Sequence, residues 1–164
     1  MKINFKTVLL VHQNERELQN LSTKLIRAGY FIIIEKSGTA ALKILRRANI
    51  DLVISSGSFK DILPKKFLTE IQSLDYLDKT IYIPKEESIE EFFQYGSLGL
   101  YRYVAPRISS SLLFPIVQEF FQDIKSLFHY SKVVEPSGSL PTHFFQQNLK
   151  DCDRINISAL EERI

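Results

Sequence analysis

The chain's 164 residues, 45% hydrophobic and 24% charged, make one globular domain of ordinary size and too little for two. Lys and Arg total 21 against 19 Asp and Glu, so a formal charge of +2 gives no broad basic field for nucleic acid or an anionic membrane surface. One cysteine, Cys152, excludes an intramolecular disulfide framework and a thiolate zinc cluster. No apolar run reaches the roughly 18 to 20 residues of a membrane span, and residues 1–6 are too polar for a signal peptide, so the expected location is the cytoplasm.

In chain order, Thr7–Val11 (TVLLV) is a short continuous apolar run, the pattern of a strand buried on both faces. Asn14 is a good N-cap for a helix over 14–28, in which Leu18, Leu21, Leu25 and Ile26 recur at helical spacing and Gly29 is the stop. Phe31–Glu35 (FIIIE) is β-branched and strand-like, and 38–48 is a second amphipathic helix with Ala41, Leu42 and Leu45 inward. A third strand is expected over 52–54. Pro64 opens a third helix that turns Phe67, Leu68, Ile71 and Leu74 to one side, and Thr80–Ile83 (TIYI) is the fourth strand. Ser88 and Glu91 have the spacing of a capping box and start a short fourth helix running to about Tyr95. A fifth strand follows over 100–104. The longest helix covers 109–128, with Pro115 tolerable only near its first turn.

Strand and helix thus alternate five times. Parallel strands need crossover connections, and right-handed crossovers stack into an open sheet. The expected class is therefore α/β, a five-stranded parallel doubly wound sheet with helices on both faces. In such sheets functional residues collect in the crevice beyond the strand C-termini. After Phe128 the composition shifts: 134–141 (VEPSGSLP) reads as linker, which sets a folded domain at 1–128, a linker at 129–141 and a tail at 142–164. Phe145, Leu149 and Cys152 keep helical spacing in that tail, and Ser158 to Glu161 repeats the capping-box spacing just before Ile164. That pattern leads us to expect the front part of a longer protein, the tail starting a helix or further domain.

The βα order, KTVLLV at the first strand, DLVIS at the third and YVAP after the fifth resemble the receiver domain of two-component response regulators over about residues 5–128. The resemblance implies the flavodoxin-like receiver topology of the CheY-like family. It further implies a magnesium site made by an acidic pair after the first strand and a phosphorylatable Asp ending the third. A Thr or Ser after the fourth strand and a Lys before a proline after the fifth would complete that site. In this chain the acidic pair falls on His12 and Gln13, where a hard cation that wants carboxylate oxygens meets an imidazole and an amide. The phosphoacceptor falls on Ser56, a poor nucleophile without an adjacent base, while Asp51 matches a non-catalytic Asp that begins the strand. The hydroxyl position falls on Pro84, with Lys85 next to it, and the Lys position on Ala105. All five positions lack the family's chemistry, which makes the chain a degenerate receiver, or pseudo-receiver.

Other constellations favour plain structural readings. His12 and Ser56 would share the crevice and invite a Ser–His hydrolase, yet no third group and no G-x-S-x-G elbow accompany them. His129 and His143 have no metal-ligand spacing to each other or to Cys152, so neither metal nor cofactor is expected. Glu86, Glu87, Glu90 and Glu91 read as a solvated helix N-terminus favoured by the macrodipole. Aromatics crowd the fourth helix and fifth strand. Of the adjacent Phe92 and Phe93, one is expected to face the core and the other solvent. The expected function is a phosphorylation-independent, non-enzymatic signalling module of a larger bacterial regulatory protein, with no nucleic-acid or membrane partner. It would bind a protein partner or itself through Phe92, Phe93, Tyr101, Arg102 and Tyr103 on the face of the fourth helix, fifth strand and fifth helix (the α4-β5-α5 face). The alternative is a small α/β enzyme or ligand-binding domain using the crevice.

Overall fold

The computed structural model describes residues 5–133, the side chains of Glu15, Leu18 and 124–133 excepted. Its elements are β1 (Thr7–Val11), α1 (Glu15–Arg27), β2 (Phe31–Glu35), α2 (Gly38–Arg47), β3 (Leu52–Ser56), α3 (Pro64–Ser73), a 3-10 turn (Leu77–Lys79), β4 (Thr80–Ile83), α4 (Ile89–Gly96), β5 (Arg102–Tyr103) and α5 (Ser110–Val133). The strands form one parallel sheet in the order β2-β1-β3-β4-β5. The order reverses between β1 and β3, which opens a crevice at their C-terminal ends.

Local chemistry sets the helix limits. The Asn14 Oδ1 accepts from the Arg16 N–H at 3.1 Å, the Ser37 hydroxyl from the Ala40 N–H at 3.2 Å and the Ser88 hydroxyl from the Glu91 N–H at 3.1 Å. Each cap satisfies a donor that the first helical turn leaves without a partner. Gly29 ends α1 with φ of +90°, a conformation that a side chain would strain. Asp51, just before β3, accepts the Thr7 N–H at 2.8 Å and pins the start of β1. That bond to a charged acceptor stands beside the longer, partly exposed Lys6–Asp51 pair at 3.4 Å, and solvent-screened ion pairs of this kind contribute about 1 kcal/mol or less.

Strand alternation divides the core. Leu9, Val11, Val53 and Tyr82 join Leu42, Phe67, Leu68, Ile71 and Tyr95 in one cluster on the α2–α3–α4 side. Val8, Leu10, Leu52, Ile54 and Ile81 alternate to the opposite face, where α1 and α5 bring the buried Leu21, Leu25, Leu113 and Val117. Each such side chain stabilises the fold by about 1.5 to 3 kcal/mol relative to exposure. Among the described residues no helix is long and apolar enough to cross a membrane.

The structure corrects several sequence expectations. Ile26 is 59% exposed, because Leu21 and Leu25 already fill the inward stripe of α1; the Leu18 side chain lies outside those described. β3 runs on through Ser55 and Ser56, whose backbones pair with Tyr82 and Ile83 of β4. β5 shrinks to two residues, since only Ile81↔Arg102 and Tyr82↔Tyr103 are in register. β2 is an edge strand and leaves Phe31 and Ile34 exposed. Neither Phe92 (46% exposed) nor Phe93 (70%) faces the core; Tyr95, at 7%, takes the inward position of α4. α5 contains Pro115 in its second turn and continues to Val133, past the expected end at Phe128. The described residues through Gln122 make one compact unit. The expected linker beyond Val133 and the tail with Phe145, Leu149 and Cys152 lie outside the described residues.

Candidate functional site

The loops after β1, β3, β4 and β5 and the start of α5 enclose a cleft of about 550 Å³ at the C-terminal edge of the sheet. Its floor is aliphatic (Leu21, Ile54, Leu113) and its rim polar, the usual construction of a small-molecule pocket. Backbone bonds hold the strand ends in place. The His12 N–H donates to the Glu35 carbonyl at 3.0 Å, and the Gly57 N–H to the Ile83 carbonyl at 2.7 Å.

His12, Ser56 and Pro84 line the cleft together; Gln13 and Ala105 sit at the same edge without lining it. His12 is half-buried. Its Nδ1 accepts the Asn14 N–H at 2.8 Å, and its Nε2 lies 3.4 Å from the Glu17 carboxylate. An acceptor Nδ1 assigns the neutral ring proton to Nε2. Burial lowers the His12 pKa below the ordinary imidazole value, and Glu17 offsets part of that shift. Ser56 is 3% exposed and its hydroxyl accepts the Ser58 N–H at 3.1 Å. Both His12 nitrogens are therefore engaged elsewhere, and among the described residues no hydrogen bond joins His12 to Ser56. General-base activation of that serine has no geometric basis here.

A hard divalent cation prefers several oxygen ligands. The cleft's lining offers one carboxylate, Glu17, and among the described residues no group of three or more His, Cys, Asp or Glu is placed to hold a metal ion. Of the lining residues only His12, Ser56 and Pro84 were expected as site residues; among those missed, Ser58, Lys85 and Arg107 bear most on the cleft's chemistry. Arg107 follows Pro106 in the loop before α5 and has φ of +59°, a left-handed conformation uncommon for a residue with a side chain. Its side chain reaches the cleft only through that loop's path, which no sequence spacing encodes. The proximity of Lys85 to Pro84 was the one available signal.

Asp61 was also missed. Its carboxylate, in the connection from β3 to α3, accepts from the Ser37 hydroxyl at 2.7 Å, the Thr39 N–H at 2.8 Å, the Gly38 N–H at 3.2 Å and the Thr39 hydroxyl. These donors, the Thr39 hydroxyl first, hold its pKa well below the usual carboxylate range. The clamp fastens the loop after β3 to the N-terminus of α2.

On the α4–β5 side the rings form a chain. Tyr82 on β4 lies 5.8 Å from Tyr95 and 5.7 Å from Tyr103, centroid to centroid, and Phe92 stands edge-on to Tyr103 at 5.3 Å. Tyr101 meets Phe120 of α5 at 4.8 Å, and Arg102 lies 5.2 Å over the Tyr101 ring while pairing with Glu119 at 3.1 Å. Tyr103 is half-buried, while Arg102, Phe92 and Phe93 are exposed around a shallow groove. The Tyr82 hydroxyl is buried and, among the described residues, has no hydrogen-bond partner. Burial, then Glu91, raises its pKa above the ordinary phenol value.

No protein-family model matches the chain. Among curated proteins it is 23% identical over 112 residues to the transcriptional regulatory protein GlrR of Escherichia coli K12, a match covering 68% of this chain. The chain spans about a quarter of the length of the curated relatives it matches. Among solved structures it resembles a CheY-like response regulator receiver domain protein from Methanospirillum hungatei (18% identity, TM-score 0.66, 75% of this chain and 99% of that one). It also resembles the signal receiver domain of an HD domain-containing protein from Pseudomonas fluorescens (22% identity, TM-score 0.65, 75% and 99%). The chain has the fold of a CheY-like response-regulator receiver domain.

Proposed function

We propose that this chain is a phosphorylation-independent receiver module, a cytoplasmic and non-enzymatic part of a larger bacterial regulatory protein, acting through protein–protein contacts. The observation that carries this reading is the cleft's stock of side chains. One carboxylate lines it, 3.4 Å from an imidazole nitrogen, and a buried serine stands where a phosphoacceptor carboxylate would be needed. Without clustered oxygen ligands there is nothing to gather Mg²⁺, and without an Asp there is no acyl phosphate to form. Residues 1–128 are the receiver module in this reading, 129–141 a linker and 142–164 a tail. The contact surface is the α4-β5-α5 face, where Phe92, Phe93 and Arg102 are exposed beside Tyr101 and Tyr103. Aromatics and arginine are the residue types enriched at interface centres.

Incubation with acetyl phosphate and Mg²⁺, followed by intact-mass measurement, tests the central claim. The mass should stay that of the unmodified chain. A stoichiometric, Mg²⁺-dependent phosphoryl adduct on any cleft residue would refute phosphorylation independence.

A further inference from the structure

The replacements that remove phosphotransfer chemistry also change the sign of the cleft. Its lining carries two cations, Lys85 and Arg107, against the single carboxylate of Glu17, which lies 3.4 Å from His12. Arg46 and Arg102 each have a carboxylate partner, at 2.7 and 3.1 Å, whereas Lys85 and Arg107 have none among the described residues. The two cations come from different loops, after β4 and before α5, so the fold rather than local sequence brings them to one cavity. Arg107 holds a left-handed backbone to do so. Hydroxyls stand beside them: Ser56 and Ser109 each accept a backbone N–H and keep a proton to donate. The volume, about 550 Å³, exceeds what a simple inorganic anion fills, and the floor of Leu21, Ile54 and Leu113 is apolar.

We infer that the cleft is a binding site for an organic anion, its acidic head between Lys85 and Arg107 and its less polar part on the aliphatic floor. This goes beyond the proposed signalling role and holds whether or not the α4–β5 face docks a partner. Unpaired cations over a low-dielectric floor favour an anion that brings its own charge, and the charge-assisted bonds of Lys and Arg are the strong ones. Glu86 and Glu87 follow Lys85 in sequence but do not line the cavity.

The test is an amide NMR titration of the full chain with AMP and with inorganic phosphate, using adenosine as the uncharged control. Either anion should shift the Ser58, Lys85 and Arg107 amides saturably, and adenosine should not. Lys85→Gln and Arg107→Gln, two exposed positions, should each weaken binding by about tenfold while the rest of the spectrum stays that of the folded parent. The inference is overturned if neither anion gives saturable shifts at those amides below about 10 mM. Equal binding of adenosine and AMP, or both variants binding like the parent, would overturn it equally.

Discussion

The cleft and the aromatic face grow from the same strand, β4, and differ in how they are tied to the core. The cleft's rim is made of residues just beyond the strands, His12, Ser58, Lys85 and Arg107, none of which is among the buried core residues. The aromatic face is continuous with the core through Tyr82, Tyr95 and Tyr103, ring against ring. Chemistry at the rim can therefore be exchanged while the receiver fold stays intact, whereas the rings of the face are bound up with stability. A fold likeness consequently says little about what the cleft does.

The largest effect expected from this contrast is on association. Phe93→Ala combined with Arg102→Ala should weaken self-association in sedimentation, or binding to a labelled partner, by about 2 kcal/mol or more, roughly thirtyfold. Thermal unfolding should barely change, because Phe93 is exposed and the Arg102–Glu119 pair is a surface one. Unaltered association would remove this face from the reading.

Next in size is the junction of the two regions. A Cβ on Gly57 would come within 2.9 Å of the Tyr82 Cζ and closer still to its hydroxyl. Gly57→Ala should thus destabilise the domain by about 1 to 3 kcal/mol in urea unfolding. Adding Tyr82→Phe removes the closest clashing atom and a buried hydroxyl without a partner, so the double variant should recover part of that loss. Additive losses would mean that the two regions are not coupled there.

Asp61→Ala comes third, at about 1 kcal/mol near neutral pH, the scale of a lost helix cap. Its folded pKa lies below the unfolded value of about 3.9, so its contribution is present above that pH and fades as pH falls through the folded pKa. The gap between parent and variant should close in acid; a gap that persists at low pH would argue against the clamp. The smallest effect is at His12, whose lowered pKa means the unfolded chain takes up the proton first. Stability should decline as pH drops below about 6.5, and His12→Gln should flatten that part of the melting profile. An identical slope in the variant would assign it to other groups.

Much of this architecture was legible in the sequence. β1, β2 and β4 stand where their apolar runs placed them, because a central or β-branched strand advertises itself by composition. β5 was overextended since Leu100 and Val104 look strand-like, although as an edge it pairs through two residues only. The strand ends located His12, Ser56 and Pro84 at the cleft. Lys85 and Arg107 were not legible as a pair, because loops converge only once the sheet exists. Asp61 was invisible for the same reason: its partners Ser37, Gly38 and Thr39 belong to another helix start. The paired phenylalanines misled because adjacency on a helix says that two directions differ, and neither has to be inward when Tyr95 fills that place.

The strand order β2-β1-β3-β4-β5 carries a kinetic meaning as well. Every neighbour in the sheet is parallel, so each pairing spans a whole crossover and no hairpin can hold two strands together by a tight turn. β1 must meet both β2 and β3, and its pairing with β3 closes over β2 and two helices, a long connection with a correspondingly large closure entropy. The cleft is lined from the ends of β1, β3 and β4 and the start of α5, so it exists only once those long connections are closed.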